Sequence, residues 1–426
     1  MMARPQQTSS QELAPMPSSL DQQLDHIAAD LAAWLDTSAD PGLMDGSAGA
    51  ALFFGHLSAH TGRDHHHMLT ERALVATLDV LHGQNDRAPV GSSLCSGLAG
   101  VAWCLDHLVQ HDVVELDSQL EELLSDLDVV LADAVVTSAA AGQLDLLHSS
   151  LGAIVYLTGR PASPRVSSRL AETVGHLRRH AIRDDRGSRW PDPTRPGEFD
   201  LGLAHGASST VCLLARLVRA GIATTESTPL LAEAARWLES TRLPQPSAKP
   251  PTALFPSSVD EHGAPSGRRW SRLGWCYGDL GVAIGLLSAG MALGDQSLLG
   301  HATTILEEAS RRSPEEGEVA DAGLCHGSLG IMQMYLRASI ALDAPHLAAV
   351  GTRWFEHSHR FAGRSTDEAA GFRARTPHGY RITRSLLQGT AGIGLGLLAG
   401  GGFIGPTSKG ARPWDEWMLP IPQIYI

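Results

Sequence analysis

The chain has 426 residues, of which 43% are hydrophobic and 19% charged, the make-up of an ordinary soluble globular protein. Its formal net charge of −13 excludes a nucleic-acid-binding protein, which needs a basic face. Length alone would suggest two to three domains, but a closed repeat can hold as many residues in one unit.

Residues 1–18 are polar and rich in Pro and Ser, with no apolar stretch typical of a signal peptide. They read as a disordered tail, leaving 19–426 as one domain. From Leu20 onward amphipathic segments recur: Leu20–Leu35, Leu69–Leu81, Leu120–Val136, Val166–Ile182, Leu230–Leu243, Leu298–Ala309 and Leu347–Phe361. Each has apolar residues at three- and four-residue steps and a charged opposite face. Each is followed by Gly-x-x-Gly, or by a variant with one Ser, at Gly46/Gly49, Gly97/Gly100, Ser149/Gly152, Gly206/Ser209, Gly278/Gly281, Gly327/Gly330 and Gly389/Gly392. The shortest step is 49 residues, Gly278 to Gly327, and the longest is 72, Gly206 to Gly278. One such motif is weak, but evenly spaced copies along the whole chain mark a repeat architecture.

After each motif comes a helix apolar round most of its circumference, such as Val101–Gln110, Val211–Ala220, Val282–Leu293 and Ile331–Leu342. The predicted unit is therefore an outer amphipathic helix, a Gly-rich turn and a buried inner helix. Glycine in the turn allows positive φ and close helix approach. The first and last repeats are as apolar as the middle ones, so an open solenoid would lack polar caps. The sequence predicts an all-α fold, an α/α toroid of seven helical hairpins with seven outer and seven inner helices. Three long stretches break the period: 183–201, 243–272 and 362–384. Loops of that length in a compact domain are usually functional or disordered, and the second leads straight into Trp275 and Cys276. Residues Gly389 to Pro406, uncharged but glycine-rich, read as a buried helix followed by a loop, not a membrane span. His65, His66 and His67 read as a solvated helix start.

The five cysteines, Cys95, Cys104, Cys212, Cys276 and Cys325, are odd in number and widely spaced, which points to a reducing cytosol and not to disulfides. Cys104 and Cys212 fall inside inner helices and read as core. Cys276 and Cys325 each stand two residues before a motif glycine, in Trp275-Cys276-Tyr277-Gly278 and Cys325-His326-Gly327. They are the same position in neighbouring repeats. Two thiolates and an imidazole suit Zn²⁺ with a fourth position left open, as in catalytic sites. Two buried cysteines near helix starts would explain the same residues without a metal. Cys95 holds the equivalent place in the second repeat, across the mouth of a ring, and should not share the ion. His205, in Gly202-Leu203-Ala204-His205-Gly206, together with Asp145, Arg272 and Tyr277, converges on the same mouth. Taken singly, such a histidine is a structural residue and such an aspartate a helix cap.

These motifs, taken together, resemble the lanthionine synthetase C-like family, the lanthipeptide cyclases, over residues 20–420. The resemblance implies an α/α toroid and one Zn²⁺ per chain held by Cys276, Cys325 and His326. It puts Asp145, His205, Arg272 and Tyr277 at the family's other active-site positions. It implies that a peptide cysteine adds to dehydroalanine or dehydrobutyrine, giving the thioether rings of a lanthipeptide antibiotic. The first predicted helix begins at Leu20, so the chain resembles the stand-alone type. A dehydrated precursor peptide, a separate dehydratase and an export transporter are the implied partners. The implied location is cytoplasmic, or peripheral to a membrane-associated complex. Relatives of this kind also include enzymes that add a small thiol such as glutathione, and a peptide-binding scaffold that keeps zinc is a third reading. Ser149 and Ser209 in place of glycines, and Leu280 in place of proline, depart from the family pattern.

Overall fold

The computed structural model describes residues 19–82, 90–192, 194–244, 253–363, 368–404 and 411–422, so the tail expected over 1–18 lies outside the described residues. Fourteen α-helices carry them: α1 Leu20–Leu35, α2 Ser47–Thr61, α3 Asp64–His82, α4 Leu98–Gln110, α5 Ser118–Ala140, α6 Ala153–Leu157, α7 Pro164–His180, α8 Ala207–Arg219, α9 Thr224–Ser240, α10 Asp279–Leu293, α11 Gln296–Ala309, α12 Ser328–Ala341, α13 Pro345–Ser358 and α14 Thr390–Gly400. The even-numbered helices are buried almost all round, as α10 is from Asp279 to Gly290. The odd-numbered helices bury one stripe, as α7 does with Val166, Leu170, Thr173, Val174 and Leu177. Three two-stranded antiparallel sheets, β1 Ile182–Asp184 with β2 Gly187–Arg189, β3 Glu198–Asp200 with β4 Ser258–Asp260, and β5 Ala374–Thr376 with β6 Gly379–Arg381, are the strands among the described residues. All fall in the three long interruptions of the repeat. The β3–β4 pair, with Phe199 opposite Val259, ties the first interruption to the second.

The inner helices touch in the order α2, α4, α6, α8, α10, α12, α14, and α14 returns to α2. The loops ahead of them are stitched in the same order. Met44 N donates to Cys95 O (2.9 Å), Cys95 N to Leu147 O (2.9 Å), Trp275 N to Cys325 O (2.8 Å) and Cys325 N to Leu387 O (2.9 Å). Leu386 N donates to Met44 O (2.6 Å) and joins the last repeat to the first. The expected closed arrangement of seven inner and seven outer helices is therefore present.

Two details differ from expectation. The tight hairpins run from an inner helix to the next outer one, α2–α3, α8–α9, α10–α11 and α12–α13, not across the glycine motif. Two helices joined by a very short turn, such as Gly294-Asp295 between α10 and α11, must lie antiparallel side by side, whereas the motif loops are long enough to step round the ring. On this phasing no outer helix follows α14 among the described residues; α1 packs there, and Arg384 bridges to Asp30 of α1 at 2.8 and 3.0 Å. The first motif glycines also need little conformational freedom. Gly278 alone among them has positive φ (106°); Gly46, Gly97, Gly206, Gly327 and Gly389 are extended. Space matters more: a Cβ on Gly330 or Gly392 would overlap the carbonyl oxygen of Leu324 or Leu386 six residues earlier. Ser149 fits at a first position because its hydroxyl accepts from Leu151 N (3.1 Å) as a cap, and Ser209 donates to Gly206 O (2.7 Å).

The histidine tract does open α3, but His66 is buried, with its Nδ1 2.7 Å from Thr61 Oγ1, and is not a solvated residue. Cys104 and Cys212 are buried in α4 and α8 as expected. No described helix is long and apolar enough to cross a membrane.

Residues 411–422 had no predicted role, and they run inside the ring. Trp103 of α4 donates to Glu416 (3.0 Å), Arg216 of α8 pairs with Glu416 (2.9 Å), and Gln333 of α12 donates to Asp415 (2.7 Å). Contacts to helices on opposite sides place the segment on the ring's axis. Trp417 there is fully buried. Trp417→Ala should cost about 3–5 kcal/mol of stability, while Val130→Ala on the exposed face of α5 should stay within about 0.5 kcal/mol, as read by urea unfolding.

Candidate metal centre and active site

The loop of the fifth repeat hangs on that of the sixth: Trp275 N and Cys276 N both point at Cys325 O, at 2.8 and 3.3 Å. This brings Cys276, Cys325 and His326 together, all buried, with one ligand atom from each lying within 4.8 Å of the others. A tetrahedral zinc site with Zn–S near 2.3 Å and Zn–N near 2.0 Å spaces its ligand atoms about 3.3–3.8 Å apart, within that limit. His326 Nδ1 is buried without a hydrogen-bond partner, and Nε2 faces Asp321 Oδ2 at 3.9 Å. A free ring nitrogen backed by a carboxylate on the other nitrogen is the arrangement of a metal-bound histidine. The donor set therefore fits zinc.

The two thiols share their protons unequally. The hydrogen bond from Cys325, then His326 and the Arg272 guanidinium, pull the Cys276 pKa well down against its burial. The same contact with Cys276, together with burial, pushes Cys325 up. Arg272 Nη2 lies 3.5 Å from Cys276 Sγ. Arg272 and His326 line a pocket of about 940 Å³ with Arg375, His378, Tyr380 and Arg381 of the β5–β6 hairpin.

On the other side, the Gly202 loop packs on Cys276: a Cβ on Gly202 would overlap the Cys276 carbonyl oxygen and meet Tyr277 at 3.0 Å. That contact brings His205 within reach of the Cys276 charge. His205 Nδ1 lies 2.6 Å from Asp145 Oδ2, and its ring stacks on His148 with centroids 5.2 Å apart. Asp145 Oδ1 meanwhile accepts from Leu147 N and His148 N, both at 2.7 Å, so it is a loop cap and a histidine partner at once. Burial opposes the charged His205, but the hydrogen bond and charge of Asp145, aided by Asp200 and Cys276, outweigh it and raise its pKa. Burial likewise works against the Asp145 carboxylate, yet His205 and the backbone hydrogen bond hold its pKa below the usual value. These two residues and Tyr277 line a pocket of about 340 Å³. Burial, followed by the charges of Asp200 and Cys276, raises the Tyr277 pKa, so it stands there as a neutral phenol.

Cys276, Cys325, His326, Asp145, His205, Arg272 and Tyr277 thus border one site. Cys95 does not: it belongs to the second repeat, stands outside the thiol–imidazole cluster, and burial pushes its thiol up to about 12. Two carboxylates were missed. Asp200 accepts from Gly202 N (2.6 Å) and pairs with Arg195 (2.9 Å), and burial lifts its pKa to about 6. Asp321 accepts from Gly323 N (3.0 Å) and Arg375 N (2.8 Å) while facing His326. The signal was available: Asp40-Pro-Gly, Asp200-Leu-Gly and Asp321-Ala-Gly all begin six residues before a motif glycine, and Arg272-Leu-Gly holds that register in the fifth repeat.

Asp145→Asn should move His205 from a pKa above 6.5 to one below it, because the burial that opposes charge remains when the carboxylate goes. An imidazole NMR titration reads this directly, and an unmoved pKa would mean the pair carries no charge coupling.

Residues 37–400 match the family model described as lanthionine synthetase C-like protein. No curated protein sequence matches the chain. Among solved structures the chain is similar to nisin cyclase, with 18% identity and a TM-score of 0.72 over 94% of this chain and 97% of that one, a likeness of fold. It is also similar to an unsaturated glucuronyl hydrolase from Bacillus sp. GL1, with 15% identity and a TM-score of 0.41 over 93% of this chain and 98% of that one. The family match spans most of the chain and takes in every site residue described above, and the protein belongs to the lanthionine synthetase C-like family.

Proposed function

We propose that the protein is a zinc-dependent lanthipeptide cyclase that adds cysteine thiols of a dehydrated precursor peptide to dehydroalanine or dehydrobutyrine, forming lanthionine and methyllanthionine rings. The observation that carries this reading is the position of the Cys276, Cys325 and His326 cluster, between the Asp145–His205 pair on one side and Arg272 on the other. Membership of the family and the fold shared with nisin cyclase support it.

Held by Cys276, Cys325 and His326, a single zinc ion would supply a Lewis acid that lowers the pKa of a substrate thiol. The chain's own residues then account for the rest. As the new C–S bond forms at the β-carbon, the π pair moves onto the carbonyl oxygen, and Arg272 offers that oxyanion a guanidinium. Asp145 holds His205 through Nδ1 and keeps the ring charged, leaving Nε2 to deliver a proton to the α-carbon. Tyr277, neutral and beside Asp200, can donate a hydrogen bond in the same pocket. The two flanking pockets give an extended peptide room on either side of the reacting atoms. Residues 19–426 would act as one toroidal unit in the cytoplasm. A separate dehydratase would supply the substrate, and an export transporter would take the product.

The test is mass spectrometry with thiol alkylation on a dehydrated precursor. Ring formation protects cysteines from alkylation without changing mass, whereas addition of an added small thiol would raise the mass and overturn the cyclase reading. Cys276→Ala or Cys325→Ala should abolish cyclisation and remove one equivalent of bound zinc with helicity kept, and Cys95→Ala should remove none. His205→Asn should keep its zinc and melting temperature but lose about 10²–10⁴ in cyclisation rate. Because it is the charged ring that donates, the wild-type rate should fall as pH rises through a pKa above 6.5, and the fall should begin at lower pH in Asp145→Asn.

A further inference from the structure

The sevenfold register that gathers the mouth residues also gathers a second layer, ten residues after each first motif position. That layer reads His56, His107, Gly159, Arg216, Ser288, Arg337 and Ala399. Ten residues of helix amount to about 15 Å, so the layer lies toward the opposite end of the inner helices from Cys276. Arg216 and Arg337 are occupied there by Glu416 and Asp415 of the axial segment. His56 of α2 and His107 of α4 meet each other, Nε2 to Nε2 at 2.9 Å, and both are buried. His111, one turn after His107, closes the group, with ring centroids 4.2 Å from His107 and 5.2 Å from His56.

We infer that His56, His107 and His111 form a second metal site, for a zinc-like first-row transition ion, that fastens the 411–422 segment inside the ring. One nitrogen from each of the three lies within 4.8 Å of the others, the reach of a single ion's ligands. Imidazole nitrogen suits zinc and its neighbours in the first transition row. His111 Nε2 lies 2.8 Å from Arg412 O. It can only donate to a carbonyl, so its Nδ1 carries the free lone pair, and a backbone carbonyl behind a ligating histidine is a usual second partner. The hydrogen bond between His56 and His107 leaves His107 Nδ1 buried without a partner. The nearby ions balance among themselves: Arg412 and Arg160 share Asp106, Arg160 reaches Asp128, and Arg216 and Arg412 meet Glu416. They leave no bare cation against the three rings. His111 is partly exposed, which gives an ion a way in.

The experiment is a metal count on the full chain, stripped and then titrated with Zn²⁺ or Co²⁺ alone. Wild type should take two equivalents and Cys276→Ala/Cys325→Ala should keep one. With Co²⁺ that remaining equivalent should give ligand-field bands without the thiolate charge-transfer absorption of the mouth site. Adding His111→Gln, a change at the least buried of the three rings, should abolish it while circular dichroism stays unchanged. Zero equivalents in the double cysteine variant would overturn the inference, whether or not the histidine variants fold. So would one equivalent that survives both His107→Gln and His111→Gln. The reading of the mouth as a cyclase centre is untouched by either result.

Discussion

Helices α2, α10 and α14 have no polar face, and that constraint governs the whole molecule. Each inner helix must be covered on both flanks as well as from outside, and a row of such helices has no stable end. Bending the row until α14 meets α2 supplies the missing flank at both ends, and α1 supplies the outer cover that α14 would otherwise lack. Once the row is a ring, every loop that precedes an inner helix arrives at the same mouth. The site is a consequence of closure: Asp145, His205, Cys276, and Cys325 with His326 come from four consecutive repeats, the third to the sixth, and meet because their loops are hydrogen-bonded or packed neighbour to neighbour.

The same closure creates an axis that must be filled. The 411–422 segment fills it with Trp414, Trp417, Met418 and Leu419, and also with Arg412, Asp415 and Glu416, charged residues that are buried there. They are tolerated because each meets an opposite charge or a donor on an inner helix: Arg412 with Asp106, Glu416 with Arg216 and Trp103, Asp415 with Arg337 and Gln333. Buried pairs of this kind add little net stability but penalise any other register of the segment. The segment also reaches the mouth. Trp275 Nε1 donates to Met418 O at 2.6 Å, and Trp275 is the residue before Cys276. The axial segment therefore supports the loop that carries a proposed zinc ligand.

At the mouth, charge is distributed so that opposite protonation states lie side by side. Cys276 is drawn toward thiolate by Cys325, His326 and Arg272, while His205, on the adjoining loop, is held toward imidazolium by Asp145. A sulfur-rich centre beside a charged imidazole suits the proposed addition followed by protonation. Asp200 and Asp321, at one register position of the fourth and sixth repeats, stiffen the loops on both sides by accepting backbone N–H groups.

The sequence by itself determined the elements and their number. The three- and four-residue spacing of apolar residues gives α1 its observed bounds and most of the others within a turn, since burial of a stripe is written locally. The glycine period determined that the units repeat, and the two Cys motifs determined which repeats hold the sulfurs. Only the tertiary structure decided the phase of the hairpins, because a repeat reads the same whichever helix of the pair is counted first and loop length alone breaks the tie. Asp200 and Asp321 look like turn caps in one dimension, and their second partners, Arg195 and His326, appear only when the loops are folded. The 411–422 segment has no periodicity to read, and its place on the axis follows from partners some 80 to 310 residues away in the chain, between Gln333 and Asp415 and between Trp103 and Glu416. His56 sits on α2, which has no polar face to flag it, and His107 lies in the stretch of α4 that is buried throughout. Their meeting depends on α2 and α4 being neighbours at equal height, which the ring alone fixes.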